Sequence, residues 1–251
     1  MSVSLFCSKG VRTGVDFSEQ RSDANNAKTV LLCIDLQEFP PSSSAPDEVK
    51  AFQAHQNKVV VPNVSRLQTF CRAHSDEYEV IHSRIQSLTR DGRDRGALHK
   101  RLGIHLPPDS AGSEFLPALG PVGDELVFNK TASNVFLATN LHFVLSNMSV
   151  RNIIIVGLLT DECIASSAKA AADLGYSVTV VSDACAAARA LLHHTALETL
   201  SRYTRVCTTA QVLSNTQVPT SHFNHTLLRE QISSSDCERT PDSGDTNSCS
   251  C

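Results

Sequence analysis

Asn152-Ile153-Ile154-Ile155-Val156-Gly157-Leu158-Leu159-Thr160-Asp161-Glu162-Cys163 is the stretch on which the fold turns. Its first five residues form a short, mostly β-branched apolar run, the composition of a strand buried on both faces. A brief turn follows, and the alanine-rich segment from Cys163 to Leu174 reads as a helix. Ser177 to Ser182 then reads as another strand. Strand, helix and strand in so short a span form the repeating unit of a parallel sheet covered by helices.

The same alternation extends in both directions. Upstream, Thr29 to Asp35 reads as a buried parallel strand ending in an acid. The Pro- and Ser-rich stretch Pro40 to Pro46 is a loop. A helix is expected from about Glu48 to Ala73, capped by Asp47. Pro62 should break or kink it unless it falls in a first turn. Tyr78 to His82 reads as a second strand and Glu125 to Phe128 as a third, with Asn129-Lys130 at its end. Between them, Ser83 to Gly123 is too long for an idle connection. Downstream of the third strand, Thr139 to Asn147 and Ala186 to Tyr203 read as helices, and Val206 to Leu213 as a last strand or strand plus turn. The fold class is therefore α/β, expected as a three-layer α/β/α body over residues 27–213. A loose segment, 1–26, would precede it, and a polar tail, 214–251, too poor in apolar residues to order itself, would follow.

Composition narrows the function. With a formal charge of -4 the chain has no global basic field for nucleic acid. It lacks tryptophan, and aromatics are scarce, so it offers little platform for stacking bases. No stretch is apolar enough to span a bilayer, and Met1 to Gly10 shows no secretory pattern. No nucleic-acid or membrane partner is expected, and the cytoplasm is the default location. The nine cysteines include no zinc-type CxxC pair.

Three residues carry the chemistry. Ligands of parallel sheets bind beyond the carboxyl ends of the strands. Asp35, Lys130 and Cys163 all fall at or just after such ends. A cysteine at a helix N-terminus meets unpaired N–H groups and partial positive charge, which favour its thiolate. The same N–H groups can hold an oxyanion. An acid, a cation and a thiol together make a covalent hydrolase: Asp35 takes the thiol proton, Lys130 orients the charges, and Cys163 attacks a carbonyl.

Several segments, in order, resemble the isochorismatase-like cysteine hydrolases, a family that includes nicotinamidases, N-carbamoylsarcosine amidases, ureidoacrylate hydrolases and isochorismatase. They are Cys33-Ile34-Asp35-Leu36-Gln37, Phe128 to Phe136, Gly157 to Cys163, Ala170 to Tyr176, and Val181 to Ala186. The resemblance covers roughly Thr29 to Leu213. It implies a six-stranded, mostly parallel sheet, homo-oligomers, and Asp35, Lys130 and Cys163 as the catalytic set. It also implies a cis peptide at Leu158–Leu159, with the N–H groups of Leu159 and Cys163 forming the oxyanion hole.

Two departures bear on the substrate. The Asp-x-His…His metal set of nicotinamidases has no counterpart in Ile81 to Arg95, and the remaining candidates, His82, His99 and His105, are scattered. No metal and no cofactor are therefore expected, and nicotinamide is disfavoured. The same region holds Arg84, Arg90, Arg93 and Arg95, and arginine suits bidentate capture of carboxylates. A small anionic substrate follows, with Arg84, Arg90, Arg93, Gln37 and Phe136 as candidate binding residues. The alternative for the arginines is a solvated loop or subunit contact involving Asp91 and Asp94.

A thiolate is needed for acyl transfer at an amide or ureide and is not needed to split a vinyl ether. The cysteine thus favours C–N hydrolysis of a small carboxylate-bearing compound. Hydrolysis of isochorismate to 2,3-dihydroxy-2,3-dihydrobenzoate and pyruvate, with Asp35 as the acid, is the runner-up. A binding module on a retired hydrolase fold is a third reading.

Overall fold

β1 (Thr29–Ile34) is buried along its whole length and anchors the architecture. In the computed structural model, which describes residues 28–38 and 46–214, it lies inside a six-stranded sheet. The other strands are β2 (Tyr78–Ile85), β3 (Val127–Lys130), β4 (Asn152–Leu158), β5 (Ser177–Ala186) and β6 (Arg205–Cys207). Their order is β3-β2-β1-β4-β5-β6, and all pairs are parallel. The loose segment 1–26, the loop Pro40 to Ala45, the tail beyond Ser214 and its Cys237, Cys249 and Cys251 lie outside the described residues.

Alternation along β1 builds two cores. Val30, Leu32 and Ile34 face one layer, with Ile153 and Ile155 of β4 beside them. That layer is covered by α5 (Leu141–Asn147) and α6 (Ala165–Asp173) through Leu141, Leu145, Ala168 and Ala171. Leu31 and Cys33 face the other layer, covered by α2 (Val61–Ala73) through Val64, Leu67 and Cys71. Each such fully buried aliphatic side chain contributes about 1.5–3 kcal/mol.

Some boundaries differ from expectation, each for a local reason. The helix expected from Glu48 to Ala73 is divided into α1 (Asp47–His55), a π-helical turn (Gln56–Val60) and α2. Pro62 falls in the first turn of α2, where its missing N–H costs little. The wider turn just before it spares the chain the clash a proline makes with the preceding turn. β3 runs later than expected, to Lys130, because its pairing with β2 begins only at His82–Val127. The helix expected from Thr139 becomes α4 (Val135–Ala138) and α5, with Asn134 Oδ1 capping α4 by accepting from the N–H groups of Phe136 and Leu137. β5 runs past Ser182 to Ala186, across a register shift against β4. The last helix of the body shortens to α7 (Ala190–Leu200), and β6 is followed by α8 (Thr209–Ser214). Asp183 in β5 caps α8, accepting from the N–H and hydroxyl of Thr209 at 2.7 and 2.8 Å.

The strand order reverses between β1 and β4. The crevice at such a reversal, beyond the carboxyl ends, is where these sheets bind ligands. Here the two strands approach so closely that a Cβ on Gly157 would sit 2.0 Å from the carbonyl oxygen of Ile34, and Gly157 has φ +125°. Only glycine fits both the space and the conformation.

Candidate active site

Asp35 and Cys163 flank this reversal. Asp35 follows β1 directly and has φ 54°, a left-handed conformation that L side chains seldom adopt. Its backbone N–H donates to Ser83 O at 2.9 Å, and the Ser83 hydroxyl donates to its Oδ1 at 3.2 Å. Strand pairing of β2 with β1 thus holds the acid at both ends.

Lys130, the last residue of β3, lies two strands away from β1 and is fully buried. Its Nζ lies 2.7 Å from Asp35 Oδ2, donates to the carbonyl of Ala132 at 3.0 Å, and donates to Cys163 Sγ at 3.3 Å. An ammonium has three donors, and here three acceptors surround it. The Asp35 contact is an ion pair rather than a well-angled hydrogen bond, so Oδ2 retains an unused lone pair. Asp35 is also within hydrogen-bonding reach of the Cys163 thiol. Burial disfavours the ammonium, but the charge of Asp35 and the contact with Cys163 Sγ outweigh it, and the Lys130 pKa is raised.

Cys163 sits in a π-helical turn (Thr160–Ile164) ahead of α6, buried to 4 % exposure. The carbonyl of Leu159 accepts from the N–H groups of Glu162 and Ile164, passing over that of Cys163. The Leu158–Leu159 peptide is cis. Burial first, and then the negative charge of Asp35, push the thiol up to about 12, against the pull of Lys130. This corrects the expectation of a thiolate favoured by a helix N-terminus. Burial beside a carboxylate favours the neutral thiol.

The other candidates divide sharply. Arg84 lies on the face of β2 opposite Ser83, as strand alternation requires. Its guanidinium donates to Asn129 Oδ1 and Ser113 O and lies 5.3 Å from the centre of the Phe115 ring. Arg90 pairs with Asp109 and Arg93 with Asp91, all four side chains well exposed. The charges acting on Cys163 are those of Asp35 and Lys130, and none of these arginines is among them. Gln37 is spent on backbone, bonding Ile85 N–H and the carbonyls of Ile85 and Gly112. Phe136 packs against the core cluster that contains Cys163.

Sequence reasoning missed Ser83, whose signal was its register opposite β1. It also missed the support behind the Thr160–Ile164 turn, where the Thr160 hydroxyl meets His193 Nδ1 at 2.8 Å. Among the described residues, no three His, Cys, Asp or Glu side chains cluster to hold a metal. No helix there is long and apolar enough to cross a membrane.

Known proteins resemble the chain in sequence and fold. The Isochorismatase domain profile matches residues 29–211. A probable inactive nicotinamidase of Arabidopsis thaliana is 30 % identical over 179 residues, 66 % of this chain and 84 % of that protein. The ureidoacrylate amidohydrolase of Acinetobacter baylyi is 25 % identical over 174 residues, 63 % of this chain and 70 % of that protein. An uncharacterised isochorismatase family protein of Bacillus subtilis is 26 % identical over 120 residues, and the match spans 43 % of this chain and 64 % of that protein. The crystal structure of N-carbamoylsarcosine amidase from Thermoplasma acidophilum shares the fold, with a TM-score of 0.56 at 24 % identity over 72 % of this chain and 96 % of that one. With a profile match across nearly the whole described body and a sheet of the same class, the chain belongs to the isochorismatase family of hydrolases.

Proposed function

We propose that the protein hydrolyses a C–N bond of a small amide or ureide through a thioester on Cys163. The observation that carries this reading is the buried chain of contacts from Asp35 through Lys130 to Cys163, at 2.7 and 3.3 Å. A vinyl ether needs only the acid, whereas an acyl transfer uses the sulfur. The similarity to a ureidoacrylate amidohydrolase supports the same chemistry.

Asp35 accepts the thiol proton as Sγ attacks the carbonyl carbon. Negative charge collects on the carbonyl oxygen, beside the N–H groups of Leu159 and Cys163. The C–N bond breaks as protonated Asp35 returns its proton to the leaving nitrogen. Water then gives a proton to Asp35 and attacks the thioester, releasing the acid and the thiol. Lys130 stays charged throughout and keeps Asp35 and the sulfur in register. The arginines that argued for a carboxylate on the substrate are occupied elsewhere, so the reading rests on the scissile amide alone.

The test is ammonia release from a panel of small primary amides and ureides, beside pyruvate release from isochorismate. Ammonia release should disappear in Cys163→Ala and fall by ~10²–10⁴-fold in Asp35→Asn. Pyruvate release that survives Cys163→Ala would overturn the reading in favour of acid-catalysed vinyl ether cleavage.

A further inference from the structure

The long insertion after β2 is an ordered structure seated on the end of β3. Gln86 N–H donates to Lys130 O at 3.1 Å, and Gly96 N–H donates to Thr131 O at 3.0 Å. Gly96 immediately precedes α3 (Ala97–Arg101), so α3 is pinned beside the strand end that carries Lys130. A Cβ on Gly96 would itself reach within 3.0 Å of Thr131 O, which shows how closely the two backbones meet.

α3 is exposed at Ala97, Leu98, Lys100 and Arg101, and buried at one residue, His99, with 2 % exposure. A five-residue helix that buries a single side chain, and that side chain a polar one, has not been placed there by hydrophobic packing. What acts on the imidazole is burial and then the charges of Lys130, Asp35 and Arg95. Burial and Lys130 hold its pKa down, so the ring is uncharged near neutral pH and offers one donor and one acceptor. Arg95 is itself committed to the carbonyls of Gly92 and Ile104.

We propose that the His99 imidazole closes the site over Asp35 and Lys130 and hydrogen-bonds the amide or ureide group of the substrate. It is a substrate-positioning residue, and this assignment rests on the C–N hydrolysis reading above. An imidazole there recognises an uncharged N–H or C=O group, where a guanidinium would have selected a carboxylate. The same buried polar group left unpaired would penalise a substrate without that partner.

The experiment compares alkylation of Cys163 by iodoacetamide, an uncharged amide, and iodoacetate, a carboxylate, with site occupancy read by peptide mapping of the full chain. The wild type should favour iodoacetamide about fivefold more than His99→Ala does, the size of one hydrogen bond, on top of the repulsion of iodoacetate by Asp35 that both share. His99→Gln, which keeps a donor and an acceptor, should restore most of the preference that His99→Ala loses. A structural role would slow both reagents alike, and an unchanged preference in His99→Ala, or an equal loss for both, would overturn the proposal. A second measurement avoids dependence on the alanine variant. In the ¹³C-histidine spectrum, the ring signal lost in His99→Gln should move when Cys163 is carboxamidomethylated, and an unmoved signal would again refute the assignment. If His99 sets the alkylation preference while no amide in the panel is turned over, the hydrolysis reading fails and the placement of His99 stands.

Discussion

Asp35 acts on Cys163 in two opposed ways. Its charge helps hold the thiol up at about 12, yet in the proposed reaction its carboxylate is the base that receives the proton. Below that value the thiolate fraction grows tenfold with each pH unit. Alkylation of Cys163 by iodoacetamide should therefore keep rising from pH 7 to pH 10, and a plateau near pH 7 would contradict the burial argument. Asp35→Asn removes the negative neighbour and leaves Lys130 unopposed. At a fixed pH this variant should alkylate faster than wild type while hydrolysing its substrate more slowly, a divergence measurable on one preparation.

At the scale of elements, the decisive unit is the insertion between β2 and β3. Asp94 organises its first turn: Oδ2 accepts from Leu88 N–H at 2.8 Å, and Oδ1 from the Thr89 hydroxyl and N–H at 2.7 and 3.3 Å. These bonds bend the chain so that Gly96 and α3 return to Thr131. Asp94→Ala should cost the loop about 1–2 kcal/mol of local stability. Amide exchange over residues 87–96 should then speed up roughly 5–30-fold while β1 and β4 keep their protection. Unchanged exchange in that segment would show that Asp94 does not hold the loop.

For the whole molecule, acid stability is set by enclosed histidines and one clamped carboxylate. His82 is fully buried, with Nε2 3.0 Å from Glu125 Oε2, and Arg72 clamps the same carboxylate at 2.7 and 2.9 Å. Burial holds the His82 pKa below its ordinary 6.5, and the unfolded chain therefore binds the proton first. Burial opposes ionisation of Glu125, but Arg72, the Val122 N–H and His82 outweigh it and hold its pKa below the ordinary 4.5. Both shifts make stability fall as pH falls, His82 from about 6.5 downwards and Glu125 below 4.5. His99 and His193 are depressed in the same direction. Each proton contributes about 1.4 kcal/mol per pH unit. Calorimetry should show Tm declining between pH 7 and pH 5, with a shallower decline in His82→Gln, and a flat Tm over that range would refute this account.

The sequence by itself determined the layered α/β class, the six strands, and the three chemical residues at strand ends. Those signals are local: a β-branched run is buried wherever it pairs, and a residue after it must emerge at the sheet's edge. Tertiary structure alone decided which polar residues converge. Arg84 and Ser83 are neighbours in sequence, yet strand alternation sends Ser83 to Asp35 and Arg84 to Asn129 and Ser113 on the other face. The register that makes that choice depends on β1, more than forty residues away. His99 looked like one of several scattered histidines until the bond from Gly96 to Thr131 seated its helix against Lys130. The state of Cys163 was also beyond local reading, because a helix terminus speaks for a thiolate while burial beside a carboxylate speaks for a thiol. Burial favours the thiol, and only the fold reveals how deeply the sulfur is enclosed.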